Sequence, residues 1–389
     1  MIDFDFISPT KIFFGRGKEE KIGEICASYG FKKALIVYGS KRIEADLLPR
    51  VEARLTESGI AFIRFGGVRP NPTADKVREG VAIVREQGID LILAIGGGSP
   101  IDTAKSIAVG VPYGGDPFDF NLHKAVPTAA LPIGCILTHA SAGSEMSNSC
   151  VIQDDAIPFK GGILSDLVKP RFVIENPELT FGVPPYQTAA GASDTMMHSL
   201  ERFFDPSGEN QLADDWALAL VKNVMVAMKQ ALEDPEDYEA RAALMLDSSL
   251  SHNGLTGIGK PFGFVVHPIE HALSAYHPDI VHGAGVALIF PAWASYVRTR
   301  DVTKFAKMAR VLFDVVEPSD EKASIIGIAQ MREFFSSIGM PTTLKEVGLG
   351  AEDIPSLASL ATGNGTRMIG CCHQSLGKQD VENILGLLL

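Results

Sequence analysis

The chain has 389 residues, 46% of them apolar and 21% charged, with a net charge of −12; it can bury large cores and is not globally disordered. A net-acidic chain without a Lys/Arg stripe excludes nucleic acid and anionic membranes as natural partners, and its apolar runs fall short of the ~20 residues of a membrane helix. At ~150 residues per domain, the length predicts two domains.

The first 180 residues alternate between helix-like and strand-like texture. A helical stretch at 19–29 precedes an apolar strand at 34–38 that ends on Gly39-Ser40. Residues 41–58 read as helix, with Leu47, Leu48, Val51 and Leu55 at helical spacing and Pro49 as a potential break. A strand at 60–65, a turn at Arg69-Pro70-Asn71-Pro72-Thr73 and a helix at 74–87 follow. Next come a strand at 91–95, the loop Gly96-Gly97-Gly98-Ser99-Pro100 and a helix at 101–108. Apolar segments at 130–137 and 171–174 extend the series, and the alternation predicts βαβ units around a parallel sheet.

From Pro184 the period changes to 3.6 residues, in stretches at 188–204, 214–232, 238–251, 281–298, 302–312, 320–338 and 379–389. This predicts an all-helical second domain. The boundary falls at Gly182-Val183-Pro184-Pro185, giving an α/β domain over 1–183 and a helical domain over 184–389.

Three features carry chemistry. Glycines after the 91–95 strand serve either a tight turn or a phosphate loop. Free N–H groups at the following helix start favour the second use, and Asp102 and Lys105 one turn on add polar groups to it. The loop matches neither G-x-G-x-x-G nor G-x-x-x-x-G-K-[ST]. A second polar loop, 138–145, ends another strand, and two such loops suggest a nucleotide along the carboxyl edge of the sheet. The third feature is the distribution of histidine: six of nine fall between His198 and His282. Asp194 and His198 share an i, i+4 spacing, as do His267 and His271, and His282-Gly283 follows. Taken singly, each histidine is an ordinary solvated or capped residue. Together, one carboxylate and three imidazoles make a ligand set for Zn²⁺ or Fe²⁺. Of the five cysteines, Cys26, Cys135 and Cys150 fit core positions, and Cys371-Cys372 reads as buried or half-buried thiols. This odd number, and an acidic N-terminus without a basic or apolar leader, predict a cytoplasmic protein.

These motifs, in this order, resemble the iron-containing (group III) alcohol dehydrogenases, and most closely the butanol dehydrogenase branch. The resemblance runs from Thr10-Lys11-Ile12-Phe13-Phe14-Gly15 through Gly96–Lys105, Gly143-Ser144-Glu145-Met146, Gly191–His198 and His267–Tyr276 to His282-Gly283. It implies an N-terminal Rossmann-like α/β domain, an all-α C-terminal domain (a dehydroquinate synthase-like architecture), and a cleft holding NAD(P) and the metal. By motif, Asp194, His198, His267 and His282 correspond to the metal ligands, and His271 to a histidine beside the nicotinamide that relays the alcohol proton. Gly97, Gly98 and Ser99 match the pyrophosphate loop, while Asp102, Thr138, Ser147, Lys160 and Leu179 fall at cofactor-facing positions. NAD-preferring relatives often end the first strand in an Asp. Here Gly39 stands at that point, followed by Ser40, Lys41 and Arg42, which would accept a 2′-phosphate; the expectation is NADP(H) rather than NAD(H). The stretch between His271 and His282 is one residue longer than in some relatives. The family also implies a small alcohol or aldehyde as substrate and a homodimer. Rival readings are a polyol dehydrogenase such as glycerol dehydrogenase, or dehydroquinate synthase, on the same fold, and a metal-free nucleotide-binding scaffold.

Overall fold

The structure is a computed structural model that describes residues 1–157, 159–205, 210–261, 263–370 and 375–389. Cys371 and Cys372 lie outside the described residues. The chain divides into two units, Ile7–Gly182 and Val183–Leu389, the latter joined by Met1–Phe6. The six N-terminal residues, expected with the α/β domain, therefore belong to the helical unit, anchored where Ile2 N–H donates to the Gly259 carbonyl at 3.0 Å.

The α/β unit contains β1 (Lys11–Phe14), α1 (Ile22–Ser28), β2 (Lys33–Tyr38), α2 (Leu48–Glu57), β3 (Ala61–Phe65), α3 (Ala74–Gln87), β4 (Leu91–Gly96), α4 (Gly98–Gly110), β5 (Ile133–Leu137), β6 (Ser149–Asp154), β7 (Phe159–Leu164) and β8 (Phe172–Glu175). Six strands form one parallel sheet in the order β1-β8-β5-β4-β2-β3. The central strands β4, β5 and β8 are buried along their whole length, and β2 all but its first residue, because helices cover both faces. That is why they read as unbroken apolar runs rather than alternating patterns. Edge strands β1 and β3 are half-exposed. On one face, Ile22, Cys26, Val51 and Leu55 from α1 and α2 pack against Ile36, Leu93, Ile136 and Phe172 of the sheet.

Three details depart from the sequence reading. Pro49 does not break its helix: it sits in the first turn of α2, where no N–H is needed, behind a π-helical turn at Ile43–Leu47. Helix α4 starts at Gly98, so the glycine loop is itself the first turn of the helix. An antiparallel pair, β6 and β7, was absent from the expected elements; Phe159-Lys160-Gly161-Gly162 has no period-two alternation to announce it.

The helical unit contains α5 (Pro185–Phe203), α6 (Gln211–Glu233), α7 (Tyr238–His252), α8 (Val266–Tyr276), α9 (His282–Val297), α10 (Val302–Phe313), α11 (Asp320–Ser337), α12 (Ile354–Ala361) and α13 (Lys378–Gly386). No helix among the described residues is long and apolar enough to cross a membrane. Helix α5 is the buried axis of this unit: every residue from Thr188 to Phe203 is out of solvent, and α6, α7 and α9 pack on it. Carbonyls of its last two turns also accept from cationic side chains, which suits the negative end of the helix dipole. Arg202 Nη1 reaches the His198 carbonyl at 2.6 Å, Lys260 Nζ the Arg202 carbonyl at 3.0 Å, and Lys304 Nζ the Phe203 carbonyl at 2.5 Å. Burial pushes the Arg202 guanidinium down to about 10.

Asp247 on α7 is 8% exposed and accepts from Asn223 Nδ2 at 2.6 Å. Burial raises its carboxyl to about 7 against the Asn223 bond, which acts in the opposite direction. With a folded value above the unfolded one, the native state holds this proton longer, so stability falls as pH rises from the ordinary carboxyl range through about 7. Asn at this position keeps the acceptor and removes the ionisation. Asp247→Asn is therefore expected to stabilise the chain by about 2–4 kcal/mol at about pH 8 and to leave stability nearly unchanged near pH 4. Urea unfolding at both pH values checks this; an equal effect at both would remove ionisation as the cause.

Candidate metal centre and dinucleotide loops

Four side chains from three helices meet inside the helical unit. Asp194 and His198 lie one turn apart on α5, His267 is the second residue of α8, and His282 is the first residue of α9. The Asp194 carboxylate is 1% exposed. Its Oδ1 faces three imidazole Nε2 atoms: His267 at 3.4 Å, His282 at 3.6 Å and His198 at 3.7 Å. Metal–ligand bonds of about 2.0–2.1 Å at tetrahedral angles place donor atoms about 3.4 Å apart; Asp194, His267 and His282 each bring a donor atom within 4.8 Å of the others, and His198 approaches this group through Asp194 Oδ1. His267 Nε2 is buried without a hydrogen-bond partner among the described residues, as a donor atom reserved for a cation would be. A carboxylate with three imidazoles is also a borderline-soft N/O set that suits iron and zinc.

Two of the three outer nitrogens, those of His267 and His282, are fixed as well. Glu201 Oε2 meets His267 Nδ1, and Glu270 Oε2 meets His282 Nδ1. Glu201 Oε1 also accepts from Val265 N at 2.5 Å and Val266 N at 2.6 Å, joining α5 to the start of α8. Ring packing completes the enclosure: Phe264 stacks on His267 at 4.5 Å, and His252 sits edge-on to His198 at 3.9 Å. His198 is held neutral, well below its ordinary value, by burial first and then by His252 and His267. Burial opposes charge on His267 too, but Glu201 and Asp194 outweigh it and lift that imidazole to about 10. Without a cation, then, a proton on His267 answers the buried carboxylates.

His271 lies one turn beyond His267 on α8, half-buried, with its ring centroid 5.6 Å from that of His282 and 6.4 Å from that of His267. It flanks the cluster outside the ring of nitrogens around Asp194 Oδ1. Glu201 and Glu270 were not singled out from the sequence. Glu201 falls seven residues after Asp194 and three after His198, on the same face of α5, and that spacing was the available signal.

In the α/β unit, the chain runs from β2 to β3 on one side and then to β4 on the other, so the topological switch lies between β2 and β4. Ligands bind open α/β sheets beyond the carboxyl ends of strands at such a point. Gly39 and Ser40 follow β2; Gly97, Gly98 and Ser99 follow β4. Gly97 caps α4 with no side-chain acceptor, leaving the N–H groups of the first turn for an anion. Thr138, just after β5, donates its N–H to the Gly96 carbonyl at 3.0 Å, which ties the two loops together.

The remaining residues of this group hold the loops from inside. Asp102 accepts from Ser144 Oγ at 2.6 Å and Val151 N at 2.9 Å, and burial raises its carboxyl. Lys105 is fully buried and donates to the Ser147 carbonyl, Ser147 Oγ and the Ser149 carbonyl at 2.8–3.0 Å. Ser147 is thus engaged within the unit. Lys160 Nζ donates to Asn71 Oδ1 at 3.1 Å, and Leu179 packs against the core under the sheet. At Gly39 a Cβ would lie 2.1 Å from the Val68 carbonyl oxygen, so any larger residue collides with backbone. The missing Asp at this position therefore has a packing cause of its own.

The chain matches the family model for iron-containing alcohol dehydrogenase over residues 9–177 and that for the C-terminal part of the Fe-containing alcohol dehydrogenase family over residues 188–388. It is 40% identical to an NADH-dependent butanol dehydrogenase A of Clostridium acetobutylicum, covering 99% of this chain and 98% of that protein. An NADPH-dependent aldehyde reductase of Escherichia coli is 30% identical, with 96% of each chain covered. The crystal structure of an NADH-dependent butanol dehydrogenase A from Thermotoga maritima superposes with a TM-score of 0.95 at 34% identity, covering 100% of this chain and 99% of that one. The chain belongs to the iron-containing alcohol dehydrogenase family.

Proposed function

We propose that this chain interconverts small primary alcohols and aldehydes, using NAD(P)(H) and one divalent cation, iron or zinc. The observation that carries the reading is the convergence of three Nε2 atoms on one buried carboxylate oxygen. When bound, the cation polarises the substrate oxygen and the nicotinamide carries the hydride. Asp194, His198, His267 and His282 hold the cation, with the Nδ1 partners of His267 and His282 turning Nε2 inward. His271, at the border of the cluster, passes the hydroxyl proton to and from solvent. Gly97, Gly98 and Ser99 offer first-turn N–H groups to the pyrophosphate. Gly39, Ser40, Asp102, Thr138, Ser147, Lys160 and Leu179 shape the surrounding cofactor site, directly or by holding its loops. The four-ligand cluster favours this reading over a metal-free scaffold. The butanol dehydrogenases among its relatives favour it over a polyol dehydrogenase. We further propose that it works in the cytoplasm as a homodimer. Buried free thiols at Cys26, Cys135 and Cys150 suit a reducing compartment, and sedimentation at working concentration tests the dimer.

Two substitutions separate the roles. Asp194→Ala is expected to lose both bound metal and activity. His271→Ala should keep metal content near wild type and lower turnover about 10²–10⁴-fold, the range for loss of a general acid–base. Metal analysis alongside butanal reduction reads both; a His271→Ala protein without metal would make His271 a ligand.

Lys41 and Arg42 are exposed after β2 and form no ion pair among the described residues, so they are available to a 2′-phosphate. The chain is proposed to use NADPH through them as well as NADH. Removing both cations (Lys41→Ala with Arg42→Ala) should lower kcat/KM for NADPH about 10–100-fold, the value of charged hydrogen bonds, and leave NADH unchanged. An equal change for both cofactors would remove these residues from 2′-phosphate recognition.

A further inference from the structure

His282 differs from the other imidazoles of the cluster. His198 and His267 are sealed in the core with side chains 5% exposed, whereas the His282 side chain is 27% exposed and stands on the first residue of α9. A ring in that position is the one most free to turn away from Asp194. What opposes this is Glu270 on α8, a fully buried carboxylate whose Oε2 meets His282 Nδ1. An ionised Glu270 accepts from a proton on Nδ1, and that tautomer turns the Nε2 lone pair toward Asp194 Oδ1, where a cation would sit.

The space for Glu270 is itself provided by α9. At Gly285, three residues after His282, a Cβ would lie 2.7 Å from Glu270 Cγ and 3.2 Å from its Oε1. Even a methyl group there has to move the buried carboxylate. The run His282-Gly283-Ala284-Gly285 thus carries a donor and, one turn later, the gap that admits the residue aiming that donor.

We propose that Glu270 is a positioning residue for His282, one that sets how tightly the cluster holds its divalent cation without itself being a ligand, and that Gly285 is part of the same device. The inference rests on the reading of Asp194, His198, His267 and His282 as the cation site. The alternative is that Glu270 coordinates: it also groups with His271 and His282, with one donor atom of each within 4.8 Å of the others. Against this, its Oε2 is turned to the Nδ1 side of His282, while the Nε2 side faces Asp194. Glu201 plays the matching part for His267, but it also accepts from Val265 N and Val266 N, so its loss would disturb the start of α8. Glu270 gives the cleaner test.

The experiment uses full-length apo protein titrated with Co²⁺ against a chromophoric chelator, for wild type, Glu270→Gln and Gly285→Ala. Co²⁺ absorption reports the ligand set, and unfolding of the apo form reports the fold. Wild type is expected to bind one equivalent, and both variants to bind one equivalent about 10–100-fold more weakly, the usual effect of losing the partner of a ligating histidine. The saturated Co²⁺ spectrum should keep its shape in Glu270→Gln, and the unfolding midpoint of that apo variant should stay at the wild-type value. Should Gly285→Ala fail to fold, Glu270→Gln alone decides. Wild type with one equivalent and variants within about twofold of its affinity would overturn the inference while leaving the cluster intact. Two equivalents in wild type with one lost in Glu270→Gln, or a changed spectrum at saturation, would make Glu270 a ligand and overturn it as well. A wild-type chain that binds no divalent cation would overturn the cluster, and the inference with it.

Discussion

An ionised carboxylate does not stay in a protein core without a partner of opposite charge, and Asp194 is 1% exposed on the buried helix α5. The helical unit answers that constraint with three imidazoles aimed at one of its oxygens, and two of these are backed by further buried carboxylates. Counting Asp194, Glu201 and Glu270, the cluster gathers three buried acidic groups around three imidazoles. A divalent cation offsets most of that charge; a proton on His267 offsets part of it. The carboxylates that meet the histidines thus add negative charge that a bound cation would offset.

The rest of the unit keeps that arrangement rigid. Helix α5 contributes two donors one turn apart, and its carbonyl end is fastened by Arg202, Lys260 and Lys304. Helices α8 and α9 each present a donor in their first turn, where the backbone arrives from a loop and a small change in its direction moves the imidazole farthest. Both helix starts are pinned, that of α8 through the grip of Glu201 on Val265 and Val266, and that of α9 through the contact of Glu270 with His282. In the α/β unit the buried Lys105 ammonium does comparable work, tying α4 to the backbone at Ser147 and Ser149.

How much of this was legible depended on whether a pattern had a competing explanation. Buried strands β2, β4, β5 and β8 were readable because an unbroken apolar run of that length has few other uses, and long helices were readable from their period. The spacing of Asp194 with His198, and of His267 with His271, showed shared helix faces but could not say which nitrogens converge; the structure separates His267, aimed at Asp194, from His271, which is not. Glu201 and Glu270 were hidden among 47 acidic residues, since a glutamate on a helix ordinarily faces solvent. The β6–β7 pair left no alternation, and the start of α4 was obscured because three glycines and a proline argue against helix although their first-turn N–H groups are what an anion site uses.

Gly39 shows why a missing residue is weaker evidence than a present one. Read as sequence, the absence of an Asp after β2 suggested a cofactor with a 2′-phosphate. In the structure the position is closed to any side chain by the Val68 carbonyl, 2.1 Å from where a Cβ would stand. An Asp there would first require the segment after β3 to move, whichever dinucleotide binds. Two of the relatives described above accept NADH or NADPH by name, at 40% and 30% identity, so the family leaves both open. A proposal about discrimination is better built on groups that are present at the same strand end, such as the exposed Lys41 and Arg42, which form no ion pair among the described residues. Their charge would bear directly on a phosphate and hardly at all on a ribose hydroxyl, so the proposal of NADPH use rests on attraction offered after β2 and not on repulsion removed from it.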